Sequence, residues 1–200
     1  MSESNADLAQ LIGSRICHDL ISPVGAINNG VELLSMTAGM PPDPEEMSLI
    51  ETSARAAAAR IKLFRIAFGA AGTEEAVRRS EMRAILTDVT ADKRLDVDLS
   101  LDGDPPRTEA QLGLLALLCV DAALTHGGLV QASWQSGRWH LTTEAEPRKY
   151  APGLWSILTD GAAEDVTPAE VQFRLLADRA AEMGRAITVE DGETALTLTV

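Results

Sequence analysis

The chain reads as an α+β protein: an N-terminal helical hairpin forming a dimeric four-helix bundle, followed by an α/β sandwich. Three observations carry that expectation. Apolar residues recur alternately three and four apart through the first third of the sequence, the repeat of a bundle helix. Leu95-Asp96-Val97-Asp98-Leu99-Ser100-Leu101 then alternates strictly, as a half-buried strand does. Between the two patterns, Gly69-Ala70-Ala71-Gly72 marks a boundary, dividing the chain into residues 1–72 and 73–200.

The first helix, residues 5–38, carries its seam on Gly13, Cys17, Leu20, Val24, Ile27, Val31, Leu34 and Ala38. Gly39-Met40-Pro41-Pro42 ends it, because glycine suits a C-cap and proline cannot continue the ladder. Asp43 is the expected N-cap of a second helix over 44–70, with Pro44 in its first turn and Glu45 and Glu46 at the positive end of its dipole. Its seam runs through Met47, Ile50, Ala54, Ala57, Ile61, Phe64 and Phe68. A lone hairpin cannot enclose such a seam. Either a second copy pairs with it, making a homodimer, or the rest of the chain covers it; the first is the simpler solution.

Beyond the boundary, residues 80–91 read as a helix and 95–101 as the strand already noted. Gly103-Asp104-Pro105-Pro106 is a loop, and the very apolar stretch 108–125 a buried helix. Residues 129–134 and 139–143 form a hairpin around Gln135-Ser136-Gly137-Arg138. Thr167-Pro168-Ala169-Glu170 opens a further helix with a capping-box pattern, and 187–189 with 196–200 close the chain as a second hairpin. The expected result is a mainly antiparallel sheet with helices on one face.

Composition excludes several classes. Apolar residues make up 46% of the chain and charged residues 24%, as in an ordinary globular protein. A formal net charge of −13 opposes nucleic acid and anionic membranes as partners. The absence of a long apolar run or basic leader places the protein in the cytoplasm. Cys17 and Cys119 are too few for a disulfide framework or a paired metal site, and both read as buried thiols. His126 and His140 lack ligand partners at metal spacing.

His18 is different. The seam that takes Cys17 and Leu20 leaves His18 on the outer face with Arg15, Ser22, Gly25 and Asn29. An exposed helix face is normally covered by long polar side chains. Here Ser22, Gly25, Ala26 and Asn29 form a strip of small residues, and Gly25 and Gly30 each cost about 1 kcal/mol against alanine. Close approach of another protein's helix would compensate. Asp19 is placed to accept from Nδ1–H of His18, leaving the Nε2 lone pair free for attack, although a simple solvated acid also fits the position. Pro23 has no N–H and so frees the carbonyl of Asp19. Arg15, one turn before the histidine, reads either as an offset for phosphate charge or as a plain surface arginine.

The run Arg15-Ile16-Cys17-His18-Asp19-Leu20-Ile21-Ser22-Pro23-Val24-Gly25-Ala26-Ile27, with Asn29-Gly30, resembles the phosphoacceptor helix of sensor histidine kinases. It is more closely similar to ChpT-type histidine phosphotransferases of alphaproteobacteria. The resemblance implies that the second unit is a degenerate copy of the kinase ATP-binding domain. It implies His18 and Asp19 as catalytic residues, with Arg15, Ser22, Pro23, Gly25, Ala26 and Asn29 at the partner-binding surface. The partners implied are receiver domains of a hybrid histidine kinase and of response regulators, with Mg²⁺ held by the receiver and no cofactor or metal held by this chain.

A kinase of this type needs asparagines on a long helix and glycine-rich turns. The helix reads Leu117-Leu118-Cys119-Val120-Asp121-Ala122 instead, and none of the 15 glycines forms Gly-x-Gly. The expectation is therefore phosphotransfer without ATP. The alternatives are a non-catalytic, pseudokinase-like dimeric scaffold that binds receivers and an atypical ATP-dependent histidine kinase.

Overall fold

The computed structural model describes residues 3–36, 43–70, 76–91, 94–144, 151–162 and 165–200. Two long helices open the chain, α1 (Glu3–Met36) and α2 (Pro44–Ala67), and they pack side by side as the expected hairpin. Asp43 caps α2: its carboxylate accepts from the Glu45 N–H at 2.9 Å. α1 continues unbroken through Pro23, which is buried. The proposed stop at Gly39-Met40-Pro41-Pro42 lies outside the described residues, as do Ala71 and Gly72 of the boundary.

After α2 come α3 (Arg79–Val89), β1 (Leu95–Leu101), α4 (Arg107–Ala123), β2 (Gly128–Gln135) and β3 (Arg138–Thr143). Then follow α5 (Pro152–Thr159), a 3₁₀ turn at Pro168–Glu170, α6 (Val171–Glu182), β4 (Thr188–Asp191) and β5 (Leu196–Thr199). The strands form one sheet in the order β1-β2-β3-β5-β4. β1 runs parallel to β2, with α4 as the crossover that parallel pairing requires, and the other neighbours are antiparallel. The β2–β3 turn works because Ser136 (φ 50°) and Gly137 (φ 72°) both take left-handed backbone, matching the twist of the strands.

One sheet face turns Val130, Ala132, Trp139, Leu141, Leu196 and Leu198 inward, all buried, while Asp96, Asp98, Gln131, His140 and Glu190 stand on the solvated side. α4 fills the interior, with Leu112, Leu114, Leu115 and Cys119 buried. Its Gly113 is required by packing: a Cβ there would lie 2.3 Å from the Trp139 ring. The last turns of α2 (Leu63, Phe64, Ile66, Ala67) belong to this same core, so the hairpin grows directly out of the sandwich.

α5 has no counterpart in the sequence reading. It is one short apolar helix beginning at Pro152, and its eight residues are too few to display a period. The α6 start is also modified: a 3₁₀ turn precedes the α-helix, and within it the Glu170 carboxylate accepts from the Thr167 N–H at 3.0 Å and its hydroxyl at 2.7 Å.

Much of the hairpin seam lies open. Val24, Val31, Met47 and Ile61 are exposed, so the sandwich does not cover it. Cys17 is exposed for the same reason, which corrects its reading as a buried thiol; Cys119 is buried as expected.

Candidate functional site

α1 presents His18 with its side chain 86% exposed, while Asp19 and Arg15 behind it are only 20% and 18% exposed. Nδ1 of His18 lies 3.1 Å from Oδ1 of Asp19. A carboxylate accepts and does not donate, so Nδ1 carries the hydrogen, and in the neutral ring this leaves the lone pair on Nε2. The other Asp19 oxygen, Oδ2, accepts from Nε of Arg15 at 2.9 Å, an i,i+4 pair along the helix.

Arg15 is not a plain surface arginine: mostly buried, it also donates from Nη1 to the carbonyl of Ala169 at 2.6 Å, joining α1 to the turn before α6. Nothing in the residues around Arg15 signals this bond, because its acceptor lies 154 positions away in sequence and is a backbone oxygen.

The strip beyond His18 is only partly as expected. Ser22 and Asn29 are exposed, and Gly25 and Ala26 are half-buried, with nothing within 4 Å of a Cβ built on Gly25. Pro23 is buried and offers no surface. Gly30 is also buried, and the helix that approaches it is the chain's own α2: a Cβ there would meet Cγ1 of Ile50 at 2.5 Å. Ile21, missed in the sequence reading, is 71% exposed three residues after the histidine. Its signal was an apolar residue outside the seam.

Below Arg15 the chain forms a cleft of about 340 Å³ between α4, α5 and α6, lined by Leu118, Trp155 and Phe173 among others. Asp121 stands at its edge paired with the Arg94 guanidinium, and so is already engaged. His126 and His140 are exposed, and Nδ1 of His140 lies 3.1 Å from the Thr199 hydroxyl. Among the described residues no group of three or more His, Cys, Asp or Glu could hold a metal ion, and no helix is long and apolar enough to cross a membrane.

Residues 79–195 match the family described as the histidine phosphotransferase C-terminal domain. The protein phosphotransferase ChpT of Brucella abortus (strain 2308) is 34% identical over 170 residues, covering 81% of this chain and 79% of the relative. A solved bacterial phosphotransferase superposes with a TM-score of 0.81 at 30% identity, over 100% of this chain and 98% of that one. The match extends through the hairpin that carries His18, and the chain belongs to the histidine phosphotransferase family.

Proposed function

We propose that His18 is the phosphoacceptor of a phosphorelay protein that takes its phosphoryl group from a receiver-domain aspartate and passes it to the aspartate of a response regulator. The observation that carries this reading is an imidazole open to solvent at Nε2 and held at Nδ1 by Asp19. In the forward step the Nε2 lone pair attacks phosphorus in line. The P–O bond to the donor aspartate breaks, and its electron pair leaves on that carboxylate. Nδ1 keeps its hydrogen, and Asp19 faces the positive charge that the ring acquires. The return step is the same displacement with the acceptor carboxylate attacking. Mg²⁺ on the receiver neutralises the transferred charge, so this chain supplies a positioned ring and a place to dock.

Ser22, Gly25, Ala26 and Asn29, with Ile21, form that docking face, where small side chains admit a partner helix. Residues 1–72 act as the phosphotransfer and dimerisation unit and 73–200 as a kinase-like domain without ATP. Two features support the absence of ATP chemistry: Leu117 and Leu118 stand where polar ligands are needed, and Asp121 is paired with Arg94. The seam left open on the hairpin supports a homodimer in which two copies bury it together.

The test is a pair of labelling reactions. A phosphorylated receiver domain is expected to label the protein within seconds to minutes, while γ-labelled ATP alone leaves it unlabelled. Labelling by ATP alone would establish the kinase alternative, and receiver binding without any transfer would establish the scaffold.

A further inference from the structure

We infer that Arg15 is a positioning residue for phosphoryl transfer, through which the sandwich unit holds the tautomer of His18. The inference rests on His18 being the phosphoacceptor. A continuous line of hydrogen bonds runs from the carbonyl of Ala169 to Nη1 of Arg15, from its Nε to Oδ2 of Asp19, and from Oδ1 of Asp19 to Nδ1 of His18. The distances along it are 2.6, 2.9 and 3.1 Å. Its two middle members, Arg15 and Asp19, are mostly buried, while Ala169 at one end and His18 at the other are exposed.

The far end of the line is fixed independently of α1. The Ala169 carbonyl also accepts from Nε2 of Gln172 at 3.0 Å, and Gln172 is buried. The turn that presents this carbonyl is closed by Glu170, whose carboxylate holds both the N–H and the hydroxyl of Thr167. An arginine anchored on such a turn cannot swing towards solvent without breaking its bond to the backbone. It therefore pins one oxygen of Asp19 and leaves the other aimed at the imidazole.

The chemical consequence lies at Nδ1. If Asp19 were free to rotate, the neutral ring would divide between its two tautomers, and the one with hydrogen on Nε2 carries its lone pair on Nδ1 instead of on the nitrogen that attacks phosphorus. Partner groups that orient a metal-bound histidine from behind contribute about 10- to 100-fold in affinity or activity, and a similar order is expected for a histidine that attacks phosphorus. Arg15 does this without touching the phosphoryl group, and the sandwich unit supplies the anchor. The second unit is then part of the transfer machinery even where it binds no nucleotide.

The experiment compares wild-type protein, Arg15→Ala, Arg15→Lys and Glu170→Ala. Nitrogen-15 NMR reports the His18 tautomer, and single-turnover phosphorylation is measured with a phosphorylated receiver and separately with phosphoramidate, a small donor that needs no docking surface. Arg15→Ala is expected to shift His18 from the Nδ1–H tautomer towards a mixture and to slow both donors about 10-fold. Arg15→Lys keeps the charge but cannot span both acceptors, so it restores only part of the rate. Glu170→Ala changes the tautomer in the same direction by a smaller amount. An unchanged tautomer in Arg15→Ala overturns the inference, whether the rates hold or fall with the receiver alone; the latter result would make Arg15 a partner contact. The NMR readout needs no phosphorylation. If wild-type His18 shows the held tautomer yet accepts no phosphoryl group, it is the phosphoacceptor reading that fails.

Discussion

At the scale of the residue, reactivity follows from what stands behind each group rather than from its exposure alone. His18 and His140 are both open to solvent, but His140 leans on a threonine hydroxyl and His18 on a carboxylate that is itself held. The two thiols divide by burial instead, Cys17 being exposed and Cys119 enclosed. Burial pushes the Cys119 thiol pKa upward, since a thiolate at that position would lose its hydration. Its nucleophilic form is then scarcer than in a free cysteine at any pH near neutral. A thiol reagent is expected to leave Cys119 untouched in the native protein at pH 7 to 8 and to modify it on unfolding. Mass spectrometry that finds Cys119 modified in folded protein at neutral pH would contradict this. The sign for stability follows: the raised folded pKa adds stability that is complete below the unfolded thiol's pKa, about 8.5, and is lost as pH climbs above it.

At the scale of the element, α1 and α2 were legible in the sequence because three-four spacing, an Asp N-cap and Pro44 all point the same way. β1 was legible through its strict alternation, and the β2–β3 turn through Ser136-Gly137. α5 was not, since one short apolar helix carries too few residues to show a period. The glycines of α1 show where local reading stops. Gly25 and Gly30 read alike in sequence, yet Gly25 faces open space and Gly30 faces Ile50 of α2. Tertiary contact, which no local pattern encodes, decides between them.

Alanine at the two positions should therefore behave oppositely. Gly25→Ala is expected to raise stability by about 1 kcal/mol through helix propensity. It should also slow transfer from a receiver while leaving phosphoramidate labelling intact. Gly30→Ala gains the same propensity but crowds Ile50, and overpacking of about 1–3 kcal/mol leaves it neutral to destabilised. Thermal melts combined with transfer rates decide the matter, and a Gly25→Ala protein that transfers at the wild-type rate would remove this strip from the docking face.

At the scale of the whole molecule, the sandwich encloses its core but the hairpin does not. Val24, Val31, Met47 and Ile61 are exposed, while Leu63, Phe64, Ile66 and Ala67 of α2 are sealed within the sandwich. The same helix is thus finished at one end and open at the other. The seam was readable from the repeat, but whether the chain covers its own seam depends on where the second unit sits, and only the structure decides that. Light scattering is expected to show a dimer at micromolar concentration. Val24→Glu with Ile61→Glu should give a folded monomer, because charges cannot be buried unpaired in a bundle core. A wild-type monomer, or an unchanged dimer in the double variant, would contradict the four-helix assembly. The Ala169–Arg15–Asp19–His18 line belongs to this scale as well, since its ends come from opposite halves of the sequence and could be seen only after folding.

The central claim is that one imidazole carries the phosphoryl group, and the most direct measurement locates that group. The protein is labelled from a phosphorylated receiver, digested under alkaline conditions that preserve phosphohistidine, and read by mass spectrometry alongside His18→Ala. The expected result is a single acid-labile phosphate on the His18 peptide. His18→Ala should accept none while keeping wild-type circular dichroism, because the ring it removes stands in solvent. Equal labelling of His18→Ala, or phosphate on His126 or His140, would contradict the account.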